Sequence, residues 1–181
     1  MKHQQEKIVK TYVFKGISVE LAEWSDTVWC GKIGYAENNT DEPNVEKIMS
    51  DFMSVSAAPN DREDNWDVCI SVNYLSDKRP SGVMFGFLVA NDGQPAEYDT
   101  YKIPAAKYLR IRMCDETAAA LGHEPWQGGI PPYEWIGEQI APELGYTYGS
   151  DVIPIIEYYG YFDPESGTHK HCYLYVPVTE V

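Results

Sequence analysis

The sequence predicts an α+β fold in which two pseudo-symmetric strand–helix–strand–strand modules share one antiparallel sheet, with a ligand cleft between the helices. Three observations carry this. The apolar segments run through the same series of elements twice. Each series contains one segment with helical spacing between segments rich in β-formers. The letters also correspond: DVCISVNYLSD in the first half aligns with VIPIIEYYGYFD in the second, placing Asn73 opposite Glu157 and Tyr74 opposite Tyr158. A repeat of this size suggests paired modules joined through a common sheet. The modules fall at about 7–92 and 96–181, and 181 residues suit a single domain.

In the first module, Lys7 to Phe14 is a strand entering the fold, and Val28 to Tyr35 (VWCGKIGY) is another. Thr40-Asp41-Glu42-Pro43 has the ingredients of a helix start: a capping oxygen, acid in the first turn and an early proline. Val45, Ile48, Met49, Phe52 and Met53 then form one apolar stripe. Asp67 to Leu75 and Gly82 to Ala90 are strands, and Ser76 to Ser81 between them has hairpin length.

In the second module, Ala106 to Met113 is a strand, and a long loop from Gly122 to Gly129 follows. Pro131 and Pro132 open a helix whose one face carries Tyr133, Ile136, Gly137, Ile140 and Ala141, and Pro142 limits its extent. Val152 to Phe162 and His171 to Val178 are the closing strands, with a turn over Asp163 to Gly167. Aligning the two helices pairs Met49 with Gly137 and Phe52 with Ile140. The smaller second stripe means either closer packing on the sheet or a cavity.

Composition excludes several classes. A hydrophobic fraction of 44% is normal for a globular chain, so disorder is not expected. No apolar run is long enough to span a bilayer, and MKHQQEKIVK lacks the apolar stretch of a secretory signal. With Cys30, Cys69, Cys114 and Cys172 widely spaced and no CxxC pair, a reduced cytoplasmic protein is expected, with no membrane partner. A net charge of −14 disfavours direct nucleic-acid binding. The same chain carries 14 Tyr and 5 Trp. Acid beside aromatics suits a cationic ligand, but composition alone favours a solvated acidic surface around an aromatic core.

Glu157 is the first candidate site residue. It lies in IPIIEYYGY with no Lys or Arg nearby in sequence. Strand alternation puts Ile155, Glu157 and Tyr159 on one face. A carboxylate there is either a ligand site or part of an exposed polar face. Trp29, Trp126, Tyr133 and Tyr159 are candidate pocket walls, or simple core. His169, His171 and Cys172 have no companion acid cluster, so no metal is expected, and no phosphate loop or other motif calls for a cofactor.

These pieces resemble a known family. TVWCGKIGYAENNTDEP, the helix opening Pro-Pro-Tyr133-Glu134, the strand IIEYYGYFDPE and the closing YLYVPV are similar to the GyrI-like small-molecule-binding domain, which also serves as the effector-binding domain of AraC-type and BmrR-type multidrug regulators. The resemblance implies a cleft between the helices where a buried glutamate, matched by Glu157, meets cationic lipophilic compounds, with Tyr133 lining it. A helix-turn-helix region is not expected in this chain. Stand-alone binding of a cationic or aromatic small molecule is the first expectation. A second follows from the hydrolases on this scaffold that open strained rings of DNA-alkylating toxins, with Glu157 as general base and Tyr133 as donor. A third is inhibition of a protein partner such as gyrase, although the acids are scattered as on a solvated surface.

Overall fold

The structure, a computed structural model, describes residues 6–74, 76, 78–123, 129–149, 152–160 and 172–181, together with the backbone of 162–163 and 168–169. The elements are, in chain order, β1 (Glu6–Phe14), β2 (Ile17–Trp24), β3 (Thr27–Tyr35), α1 (Val45–Met53), β4 (Asp67–Val72), β5 (Gly82–Val89), β6 (Asp99–Ile103), β7 (Ala106–Arg112) and α2 (Asp115–Leu121). There follow α3 (Pro132–Trp135), a π-helical turn (Ile136–Ile140), α4 (Ala141–Glu143), β8 (Tyr146–Tyr148), β9 (Ile155–Tyr159), the short pair β10 (Phe162–Asp163) and β11 (Thr168–His169), and β12 (Cys172–Glu180). Among these, no helix is long and apolar enough to cross a membrane.

The antiparallel sheet runs β1-β2-β7-β12-β9-β4-β5-β3-β6, with β8 added to the far end of β12. Its centre is the β4–β9 pair. Going outward, β5 and β3 on one side mirror β12 and β7 on the other. This is the pseudo-symmetric arrangement that the sequence predicts. The two modules also exchange strands: β2 pairs with β7 and β6 pairs with β3.

Two tight links then force the sheet to curl. Only Ser25 and Asp26 join β2 to β3, and only Pro104 and Ala105 join β6 to β7, although each pair lies near opposite ends of the strand order. The curled sheet seals its inner face with side chains alone. Trp24, Trp29, Ile70, Met84, Tyr108, Ile156, Tyr158 and Tyr175 are buried there. The rings meet mostly edge to face: Trp24 stands 5.4 Å from Tyr175, and Trp29 5.6 Å from Tyr158. The outer face carries the second core, where Trp135, Ile136 and Ile140 pack on Leu109, Ile155, Leu174 and Val176.

Several expected boundaries move, each for a local reason. The cap of α1 is Asn44, whose Oδ1 accepts from the Lys47 N–H at 3.0 Å, while Thr40 is held in a turn by Asn38. Of the expected stripe only Ile48 is buried; Val45, Met49 and Met53 stay exposed. The strand expected from Val152 begins only at Ile155, after Pro154, which has no N–H to give to a ladder. Pro142 does not end the second helix. The wide π turn just before it eases the clash its ring makes with the preceding turn, and the helix runs on to Glu143. Strands β2 and β6 and helix α2 were not expected. The hairpin into β2 turns on Lys15 and Gly16, both at positive φ, the conformation of a type I′ turn.

The curl requires close strand approach at Gly31 and Gly86, which face each other across β3 and β5. A β-carbon on Gly31 would overlap the carbonyl oxygen of Phe85, and one on Gly86 that of Cys30. Backbone cannot step aside as a side chain can. Gly31→Ala is expected to destabilise the fold by about 1–3 kcal/mol or more, read as a lower urea midpoint, whereas Gly16→Ala, with open space around it, costs only its positive-φ strain.

Candidate functional site

The site is built on the outer face, at the centre of the sheet. Ile156 and Tyr158 point into the inner core, so Glu157 and Tyr159 point out. Across the ladder, Glu157 stands opposite Cys69 of β4 on one side and Leu174 of β12 on the other, while Tyr159 stands opposite Asp67 and Cys172. The two helical segments lie on this same face. The α3–π segment packs over the β12 side. On the other side Ile48 of α1 fills the space above Gly34, and Phe52 meets Phe87 at 5.2 Å. The strip of sheet between the two helical segments carries Glu157.

Side-chain chemistry sets the state of Glu157. Its one hydrogen bond is from the Tyr159 hydroxyl to Oε2, and no described Lys or Arg pairs with it. Burial raises its carboxyl above the ordinary 4.5, and the bond from Tyr159 pulls the other way. Burial raises the Cys69 and Cys172 thiols, and the charge of Glu157 raises them further, so both remain protonated and unreactive. Burial likewise raises Tyr133, its bond with Tyr74 lowers it, and the charges of Glu134 and Glu157 raise it further.

Two residues that the sequence did not single out complete the walls. Tyr74, just past β4, sets its ring edge-on to Tyr133 at 4.8 Å and donates to Glu134 Oε1 at 3.1 Å. It ties the first module to the start of α3. Tyr148, the last residue of β8, lays its ring against Gly137, occupying the space a β-carbon would take. The small stripe of the second helix therefore leaves neither a void nor a closer helix; it receives a tyrosine. The expected alternation gave no signal for β8, which is only three residues long. On the opposite wall, Lys47 and Asp51 of α1 line a groove of about 580 Å³ at the sheet edge with Lys32 and Asp99. Phe52 is on the other flank, toward β5, and so are Val45 and Met49, whose exposed side chains border the strip that carries Glu157.

The structure thus brings Glu157, Tyr159, Tyr133 and Gly137 to one face. Trp29 corrects the sequence expectation. It is fully buried in the inner core, its indole N–H donates to Thr27 Oγ1 at 2.8 Å, and it lies on the far side of the sheet from Glu157. A β-rich strand context cannot tell the two faces of a curled sheet apart. Trp126 and His171 lie outside the described residues. Among the described residues no three His, Cys, Asp or Glu side chains are grouped to hold a metal. A further concavity of about 600 Å³ opens beside Trp24, Lys107 and Pro177 at the rim of the inner face. Neither this one nor the edge groove is lined by Glu157.

No protein-family model and no curated protein matches the chain. Solved structures share its fold. SAV2435, solved bound to tetraphenylphosphonium, aligns with a TM-score of 0.52 at 15% identity over 89% of this chain and 93% of that one. EcmrR in complex with DNA aligns with a TM-score of 0.54 at 13% identity over 90% of this chain, which spans only 57% of EcmrR. The C-terminal domain of EcmrR alone aligns with a TM-score of 0.51 at 12% identity over 90% of this chain and 98% of the domain. The fold is that of the GyrI-like domain, as the sequence resemblance implies.

The raised carboxyl makes a stability prediction. In the unfolded chain Glu157 titrates near 4.5; in the folded protein it titrates higher. Between those values the folded state holds the proton more tightly, so stability falls as pH rises through the window, by about 1.4 kcal/mol per pH unit separating the two. Above it the protein carries a constant penalty. Glu157→Gln is expected to remove this slope and to be the more stable protein at pH 8, measured by urea midpoints from pH 4 to 8. Gly137→Ala is expected to cost about 1–3 kcal/mol by expelling the Tyr148 ring, and Tyr148→Ala in the same chain to recover part of that loss.

Proposed function

We propose that this protein binds cationic, lipophilic aromatic small molecules in the cleft between its helices, for sensing or sequestration. The single observation that carries the reading is Glu157: a carboxylate set into the middle of a sheet, with a tyrosine hydroxyl for company and no Lys or Arg paired with it among the described residues. Such a group gains most from a ligand that brings the missing charge. Tyr159 orients the carboxylate. Tyr133 and Tyr74 offer ring faces and edges, each well-placed cation–π contact contributing about 0.5–2 kcal/mol. Met49, unbranched and soft, adapts to ligands of different shape. That SAV2435 was solved with tetraphenylphosphonium supports the same chemistry in a cleft of this fold.

The pH dependence follows in sign. A cation favours the ionised carboxylate, so binding releases a proton wherever Glu157 is still protonated. Affinity rises with pH through the raised pKa and levels off above it.

Calorimetric titration tests the proposal. Tetraphenylphosphonium is expected to bind, tetraphenylborate, of the same shape and opposite charge, is not, and Glu157→Gln is expected to lose at least tenfold in affinity for the cation. Equal binding of the two ions, or no effect of Glu157→Gln, overturns it. Turnover of a strained-ring alkylating compound, lost in Glu157→Gln, would put hydrolysis in its place.

A further inference from the structure

We infer that the cleft selects cations carrying an N–H donor, and that Tyr148 is the residue that reads the donor. This rests on the cation-binding reading above and narrows its ligand class.

The observation is an unsatisfied hydroxyl. Tyr148 Oη is buried and has no hydrogen-bond partner among the described residues. Buried polar groups are nearly always paired, so an exception near a site calls for a cause. The surrounding tyrosines follow the rule. Tyr12 and Tyr146 bond each other, Tyr74 bonds Glu134, Tyr159 bonds Glu157, and Tyr158 bonds Asp64. One other described tyrosine hydroxyl, that of Tyr108, is also unpaired, but it lies in the sealed inner core. Tyr148 is on the outer face beside α3, with its ring held by Gly137.

Its surroundings decide what partner fits. Glu134, Tyr133 and Glu138 all raise the Tyr148 hydroxyl in addition to its burial, so the potential around Oη is negative. A ligand carbonyl would bring its negative end toward two carboxylates. A ligand N–H brings its positive end, donates to Oη, and sits favourably in the same field. A tetraarylphosphonium offers no such group and leaves the hydroxyl unpaired. An aminoaryl cation satisfies both Glu157 and Tyr148.

A matched pair of dyes separates the two requirements. The 3,6-diamino-10-methylacridinium ion carries exocyclic N–H groups; its 3,6-bis(dimethylamino) counterpart has the same ring and charge and none. In fluorescence titrations the wild type is expected to bind the diamino ion roughly two- to tenfold more tightly, and Tyr148→Phe to level the two. Tetraphenylphosphonium, which has no N–H, is the third cation, and its affinity is expected to fall less in this variant than that of the diamino ion. Tyr148→Phe is also expected to melt at the same temperature or higher, because it removes an unpaired buried hydroxyl. Equal affinity of the wild type for both acridinium ions, or an equal loss for all three cations in Tyr148→Phe, overturns the inference and leaves the cation site standing. If none of the three cations binds, the proposed function falls and takes this inference with it.

Discussion

The curl of the sheet is the constraint on which the rest of the molecule depends. Strands near opposite ends of the order are joined by links of two residues, so the sheet closes on itself before any helix is added. The inner face becomes a core of stacked and edge-on rings that excludes water without a covering layer. Each such ring buries 150–250 Å², and at about 25 cal/mol per Å² that burial is the dominant favourable term. With one face sealed by the sheet itself, the helices are needed only on the other, and they need not cover it completely. The strip between them exists because the inner core has already met much of the demand for apolar burial.

The same combination of carboxylates and aromatic rings appears twice, with opposite outcomes. On the inner side, Arg110 lies 4.5 Å over the Tyr173 ring and pairs with Glu6 and Glu20 at 3.0 and 2.5 Å. Tyr175 donates to Glu6 at 2.9 Å. That cluster carries its own cation, and both carboxylates are matched. At Glu157 the rings and the carboxylate are present, and no guanidinium pairs with it among the described residues. The acidic, aromatic composition therefore does two jobs. Where it carries structure the charge is neutralised from within the chain; at Glu157, on the proposed reading, a ligand neutralises it.

Much of this was legible in the sequence, and what was not has physical causes. The modular order was visible because long strands and one helix per module carry strong periodicity. Glu157 stood out because a lone carboxylate in an apolar strand conflicts with its neighbours. That it shares a face with Ile155 and Tyr159 followed from alternation alone. Trp29 was misplaced because periodicity within one strand says which residues share a face but not which face of a curled sheet is the site. Tyr148 was invisible for another reason. It sits on a three-residue strand held by its pairing with β12, and its role depends on a glycine eleven positions earlier in a different element. The unexpected strands β2 and β6 are those exchanged between modules, and each has a partner far away in sequence, β7 for β2 and β3 for β6. Helix α2 differs. Its acids at the start, alanines in the middle and left-handed Gly122 at the end are ordinary helix signals.

Holding an unpaired carboxylate at the centre of a sheet has a thermodynamic consequence that links fold to function. The desolvation that makes Glu157 receptive also opposes its ionisation, so the empty protein is under tension between two protonation states. Tyr159 moderates this by donating to the charged form without supplying a counter-charge. A lysine in its place would pair with the charged form directly. An apolar residue would give it no hydrogen bond. A tyrosine is the intermediate solution: it orients the carboxylate and tolerates its charge without bringing a counter-charge. The inner core on the opposite face adds stability that does not depend on the state of Glu157.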